Sequence, residues 1–314
     1  MPNLLRYLIQ GRSCRGSSLR GITYATMIVA TLLFSGEVVA QQEPTHLNPA
    51  IVKLAQGQPM IGGTTDDFSL QNCHSLARLN LDYVYVDLEH GALDLSGLAY
   101  CVAGMVDKGA ALKKGNAQPK VALFARFPAY GRDLESNDWV VKQALDIGLM
   151  GIIFNGVDNK EQATRLVQFM RYPQMRTSKY QDPPGLRGEG AMNAVFAWGI
   201  PAEEYQQRAD LWPLNPNGDL LAIMMIETAE GLKNVDEIAS VPGVGALFIG
   251  AGDDLHAYLG VPIDSPEVEA ARQKILAACK AHNVACGITA SGKDQIDKRL
   301  KEGWMMIRTG LRGE

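Results

Sequence analysis

The sequence predicts an α/β fold, a single (β/α)8 TIM barrel following an N-terminal signal peptide, and three observations predict it. Beyond residue 41 short β-rich runs alternate with longer amphipathic ones. There are eight such runs, the number a closed parallel barrel needs. Several end abruptly in charged side chains, as strands do where a barrel opens onto the face that carries chemistry.

In chain order, strands are expected at 60–62, 83–87, 121–126, 151–155, 220–226, 246–250, 284–288 and 304–308, each rich in Val, Ile, Leu, Phe, Met or Tyr. Helical periodicity fills the intervals 138–147, 160–170, 229–240 and 266–282. The connection over 172–219 is too long for a simple crossover, so a loop over the active face and an extra helix near 201–211 are expected there. At 314 residues, 46% hydrophobic and 20% charged, the chain can bury one large core over 41–314.

Residues 1–40 read differently. Arg6, Arg12, Arg15 and Arg20 precede an apolar run over 22–33, and Val38-Val39-Ala40 offers small residues before Gln41. That order of basic, apolar and small residues is a signal peptide, and it implies export to the periplasm or medium. An N-terminal membrane anchor is the alternative, because 22–40 approaches the roughly 20 residues that span a bilayer. Ser35, Gly36 and Glu37 interrupt that stretch and favour cleavage. Without the signal, Cys73, Cys101, Cys279 and Cys286 remain. Cys279 and Cys286 flank a short connection and could pair. The favoured expectation is four buried thiols, because a core of this size needs no staple. A net charge of −4 gives no reason to expect nucleic acid and leaves a small-molecule site as the default.

Polar groups gather where the strands end: Asp87-Leu88-Glu89-His90 after the second, Arg126 at the third, Glu227 after the fifth, and Asp253-Asp254 after the sixth. Each has a bland reading. His90 could be a hydrogen-bonded structural residue, Arg126 could pair with a nearby acid, and Glu227, Asp253 or Asp254 could cap the following helix. Capping explains one acid and not their coincidence at neighbouring strand ends. Two acids there suggest a divalent-metal site built from hard oxygen donors.

Together with Ala125-Arg126-Phe127-Pro128, Arg171-Tyr172-Pro173, Gly185-Leu186-Arg187-Gly188-Glu189-Gly190, Ile226-Glu227-Thr228 and the segment 250–260, these pieces resemble the class II pyruvate aldolases of the aldolase/citrate lyase family. The resemblance spans about 53–310 and implies a phosphoenolpyruvate/pyruvate-type barrel. It implies that Glu227 and Asp254 bind Mg2+ or Mn2+, with Asp253 as the other choice of register, and that a pyruvate-like 2-oxo acid and an aldehyde are the reactants. It further implies that Arg126 faces the ketone or enolate oxygen, that His90 moves the hydroxyl proton, and that Asp146 orients His90. The loop carrying Arg187 would either shape the pocket or make structural contacts. A homo-oligomer is also implied, although relatives carry and exchange an eighth helix where this chain reaches Glu314. Met225 stands where the typical aldolase has a glutamine, and Asn155-Gly156 replaces a Pro-Met pair. Two alternatives remain: a related lyase or decarboxylase acting on another oxo diacid, and an exported, non-catalytic binder of a carboxylic acid.

Overall fold

The computed structural model describes residues 46–128, 132–135, 138–250 and 253–311, apart from the side chain of Asp253. The expected signal peptide over 1–40 lies outside the described residues. Eight parallel strands close on themselves in sequence order: β1 Met60–Thr65, β2 Tyr83–Asp87, β3 Ala122–Phe127, β4 Gly151–Phe154, β5 Leu221–Ile226, β6 Val244–Ile249, β7 Ala285–Thr289 and β8 Met306–Arg308. The barrel expected from the sequence is therefore present. β1 extends three residues further than expected, and β8 is reduced to three residues that complete the closure against β1.

Helices cover the outside of this sheet. They are α1 Pro49–Ala55, α2 Leu70–Leu76, α3 Leu95–Met105, α4 Lys108–Lys114, α5 Asp138–Ile147, α6 Lys160–Met170, α7 Met192–Trp198, α8 Ala202–Arg208, α9 Ala229–Lys233, α10 Val235–Ala239, α11 Asp253–Leu259, α12 Pro266–His282 and α13 Lys293–Glu302. Their starts follow side-chain capping chemistry. Asn48 caps α1, Asp94 caps α3, Asn159 caps α6 and Ser265 caps α12, each accepting from an amide of the first turn. α5, α6 and α12 occupy the expected bounds. The segment expected as one helix over 229–240 breaks at Asn234, whose side chain donates to the carbonyl of Asp158 at 2.8 Å instead of leaving the turn uninterrupted.

The long connection between β4 and β5 holds two helices after α6. α8 is the expected extra helix, whereas α7 is additional. Two buried arginines fasten this connection. Arg171 donates to Asp210 at 2.6 and 3.0 Å and to the carbonyls of Pro183 and Tyr180 at 2.5 and 2.7 Å. Arg187 reaches Asp146 at 2.7 Å and the Tyr205 hydroxyl at 2.9 Å, with its guanidinium 4.4 Å above the Tyr172 ring. The loop arginine therefore makes structural contacts, one of the two roles the sequence allowed.

The cysteines depart from the favoured expectation of free thiols. Cys73 bonds Cys101, joining α2 to α3 across 5.2 Å between Cα atoms, and Cys279 bonds Cys286, joining α12 to β7 across 5.7 Å. Both separations fall in the range a disulfide spans. Cys73 and Cys101 lie 28 residues apart and meet only because two helices pack together, which local spacing does not reveal.

Strand register sets the orientation of the site. Asp87 pairs with Arg126, Arg126 with Ile153, Ile153 with Ile223, and Met225 with Phe248. Side chains of registered neighbours share a face, and the next residue on that face is two positions further along. Asp87, Arg126 and Glu227 consequently rise on one inner surface at the carboxyl ends of β2, β3 and β5.

Candidate active site

The site is built around Asp87 at the end of β2. Its Oδ1 accepts from the amides of Glu89 and His90 at 3.1 and 3.3 Å, which folds the chain beyond the strand back over its own end. The same oxygen accepts from Arg126 Nε at 3.1 Å, while Oδ2 receives Arg126 Nη2 and lies 3.2 Å from His90 Nδ1. Arg126 Nη1 is 3.1 Å from Glu89 Oε2, and the guanidinium sits 5.8 Å from the centre of the Tyr85 ring. Burial raises the Asp87 carboxyl, but Arg126 and the two amides outweigh it and hold the group below its ordinary value. Burial likewise opposes the charge of Arg126, and its bond to Asp87 together with the charges of Tyr85, Asp87 and Glu89 more than offsets this, raising its pKa. Both groups are therefore fixed in their charged forms.

His90 is the exposed member of this cluster. Its side chain is 69% exposed, with Nδ1 held between Asp87 Oδ2 at 3.2 Å and Arg126 Nη2 at 2.6 Å. No described residue hydrogen-bonds Nε2, so this nitrogen is available for a proton at the barrel mouth. Asp87 is the carboxylate beside His90. Asp146, assigned that place by resemblance, instead binds Lys142 and Arg187 in the same chain.

Glu227 lies on the same inner surface, at the end of β5, and is 7% exposed. The helix-capping alternative for it does not apply: Thr228 caps α9 by accepting from Gly231 N at 2.9 Å. Glu227 Oε1 accepts from the Gly156 amide at 2.7 Å. Gly250 leaves room beside it, since a Cβ there would stand 3.1 Å from both Cβ and Oε2 of Glu227. Burial, the charge of Glu89 and the charge of Asp254 push the Glu227 carboxyl up to about 7, against the Gly156 amide and Arg132. Among the described residues no lysine or arginine forms an ion pair with it.

Asp254 stands exposed in the first turn of α11, near enough for its charge to act on Glu227. The side chain of Asp253, the other candidate in register, is outside the described residues. Sequence reasoning missed the partners of two of these residues and the contribution of a third. Asp87 and Glu89 were visible in the motif, but their pairing with Arg126 required the β2–β3 register. Arg132 packs against Gly156, donates to the Tyr258 hydroxyl at 2.9 Å and lowers the Glu227 pKa, all through contacts distant in sequence.

The residues fit a divalent cation. Ligand atoms of Asp87, Glu89 and His90 lie within 4.8 Å of one another. Arg126 already pairs with both carboxylates of that group, so a dication among them would compete with a fixed guanidinium. Glu227 is the better anchor: a buried carboxylate, facing further acids and without a cationic side chain of its own, is the donor a hard cation takes.

Comparison with known proteins places this arrangement. The description HpcH/HpaI aldolase/citrate lyase matches residues 69–314. The chain belongs to the HpcH/HpaI aldolase/citrate lyase family. It is 30% identical over 268 residues to the hydroxypyruvate/pyruvate aldolase of Paraburkholderia phytofirmans, covering 84% of this chain and 91% of that protein. It is 29% identical over 238 residues to the 2-dehydro-3,6-dideoxy-6-sulfogluconate aldolase of Pseudomonas putida, covering 75% and 80%. A crystal structure of a family protein from Burkholderia cenocepacia superposes with a TM-score of 0.68 at 28% identity, covering 85% of this chain and 94% of that one. Members of the family use a divalent metal, in agreement with the acidic donors gathered here.

Proposed function

We propose that the chain is an exported, divalent-metal-dependent aldolase that cleaves or forms 4-hydroxy-2-oxo acids, with a pyruvate-like 2-oxo acid and an aldehyde as the two halves. The observation that carries this reading is Glu227: a carboxylate buried beside other acids and raised to about 7 is unfavourable until a cation joins it. Glu227 and Asp254 would hold Mg2+ or Mn2+. When bound, such an ion supplies Lewis-acid polarisation of the 2-oxo group.

The remaining steps fall to side chains. Arg126, fixed by Asp87 and Glu89, keeps positive charge at the mouth of β3, where an oxo acid's developing negative charge is stabilised without reorganisation. His90 takes the proton of the 4-hydroxyl as the carbon–carbon bond breaks and returns a proton in the reverse direction. Asp87 and Arg126 both contact Nδ1 and so orient the ring, leaving Nε2 turned away from them. A binding protein would have no use for this proton carrier, which argues for turnover over mere capture.

Export is supported by the basic and apolar character of residues 1–40 and by two disulfides, which persist in oxidising compartments. The defining assay is release of pyruvate from 4-hydroxy-2-oxo acids with added Mg2+ or Mn2+, abolished by a chelator. His90→Ala is expected to retain metal binding and to slow cleavage by about 100-fold or more. Full aldol rates in that variant would remove the proton-transfer role.

A further inference from the structure

We propose that a cavity beneath α4 binds a small aliphatic carboxylate, with the hydrocarbon chain inside and the anion at the mouth, at a site separate from the proposed aldolase centre. A helix laid on a barrel ordinarily drives an apolar stripe into the core. None of the seven residues of α4 is buried. Leu112, its one large apolar residue, is 84% exposed, while Ala110 and Ala111 line the space that such a stripe would fill. That space measures about 360 Å3, within the range of small-molecule pockets.

The walls are apolar. Ala77, Val102, Met105, Leu123, Met150 and Trp198 all line the cavity and are buried. The indole N–H of Trp198 already donates to the Gly148 carbonyl at 2.9 Å, so the wall offers its ring and not its polar atom. Protein interiors close gaps of this size, because unfilled space forfeits contacts. Water fills it poorly, since each molecule needs several polar partners. An aliphatic chain supplies the contacts that α4 withholds. Leu123 is the second residue of β3 and Met150 immediately precedes β4, so the cavity lies at the amino ends of these strands, opposite the end that carries Arg126.

Charge at the mouth selects the other end of the ligand. Lys114 and Lys120 line the cavity and are exposed. Lys114 Nζ donates to Gln118 Oε1 at 2.6 Å and to the Gln118 carbonyl at 3.3 Å, and Lys120 Nζ donates to the Arg78 carbonyl at 3.0 Å. Among the described residues neither lysine forms an ion pair. Burial lowers the pKa of Lys114, so its ammonium gives up part of its water without gaining a counter-ion. Asp107, the one acid on the wall, is already engaged: its Oδ2 accepts from Arg78 at 3.0 Å, and its Oδ1 caps α4 by accepting from the Ala110 amide at 3.0 Å. Two uncompensated cations above an apolar chamber complement a carboxylate with a hydrocarbon tail, in preference to a neutral or cationic molecule of the same size.

The test is calorimetric titration with octanoate, hexanoate and octan-1-ol, in chelator so that no metal-held site competes for the carboxylate. Wild type is expected to bind octanoate saturably, one per chain. Hexanoate should bind about tenfold or more weakly, because each buried methylene contributes about fourfold. Octan-1-ol, which lacks the charge, should bind about fivefold more weakly than octanoate. Ala111→Phe, which places a ring in the cavity, is expected to abolish binding of both. Lys114→Met, on an exposed position that leaves the cavity open, is expected to weaken octanoate about fivefold and to leave octan-1-ol unchanged. Absence of saturable octanoate binding in wild type would overturn the proposal. So would undiminished binding in Ala111→Phe, which would put octanoate elsewhere, or an unchanged affinity for octanoate in Lys114→Met. A smaller subunit count for Ala111→Phe on size exclusion would make the space an interface between copies of this chain, and would overturn it as well.

Discussion

Replacing Glu227 by Gln should stabilise the metal-free protein while destroying its response to metal. The displacement of the Glu227 carboxyl from its ordinary 4.5 to about 7 corresponds to about 3 kcal/mol, at about 1.4 kcal/mol per pH unit. Its direction fixes the pH profile. An acid whose pKa is raised by folding contributes stability that is complete below the unfolded value and is lost as pH rises through the folded one. For Glu227 that window runs from 4.5 to about 7. Gln keeps a carbonyl-type oxygen for the Gly156 amide, carries no charge, and has no such profile. In chelator, wild type and Glu227→Gln should melt together near the lower end of the window and diverge above it, the variant melting roughly 5 °C or more higher. Added Mg2+ or Mn2+ should then raise the melting temperature of wild type only, by an amount that grows with concentration. Superimposable pH profiles in chelator, or equal stabilisation of the variant by metal, would refute the assignment of Glu227 as a strained carboxylate awaiting a cation.

The other expectations concern the frame around the site. Asp146→Ala should cost about 3 kcal/mol or more in urea unfolding, because it leaves the buried Arg187 guanidinium without its carboxylate. If the folded variant instead shows a displaced pH–rate profile with little loss of stability, Asp146 orients His90 as the resemblance implied. Thiol titration of the denatured, unreduced protein lacking residues 1–40 should find none of Cys73, Cys101, Cys279 and Cys286 free, and Cys73→Ser should lower stability by about 2–4 kcal/mol. Four titratable thiols would remove the disulfide argument for export.

Much of the fold was legible because barrel strands are buried on both faces and read as continuous apolar runs. β5, Leu221–Ile226, is buried throughout, and its boundary is announced by Glu227. Long helices with side-chain caps, such as α6 and α12, were equally plain. α7 was not. It has seven residues and no side-chain cap, and it exposes Met192 and Phe196, so it lacks the amphipathic contrast that marks a helix. At the site, the residue types were visible and their partners were not. Asp87, Glu89 and His90 sit together in the sequence, yet the meeting of Asp87 with Arg126 depends on strand register across 39 residues. Arg132 belongs to the same class, because only tertiary packing brings it against Gly156.

The paired arginines in the connection between β4 and β5 carry a broader implication. Arg171 ties the excursion to its own later residue Asp210, and Arg187 ties it to Asp146 on α5, so the chain is fastened on both sides of its tip. The tip at Met175 and Arg176 is exposed between these moorings. Sequence there is free to drift, lengthen or be replaced without transmitting strain to the strands. A lineage can thereby remodel this loop while the groups gathered at the strand ends stay where they are.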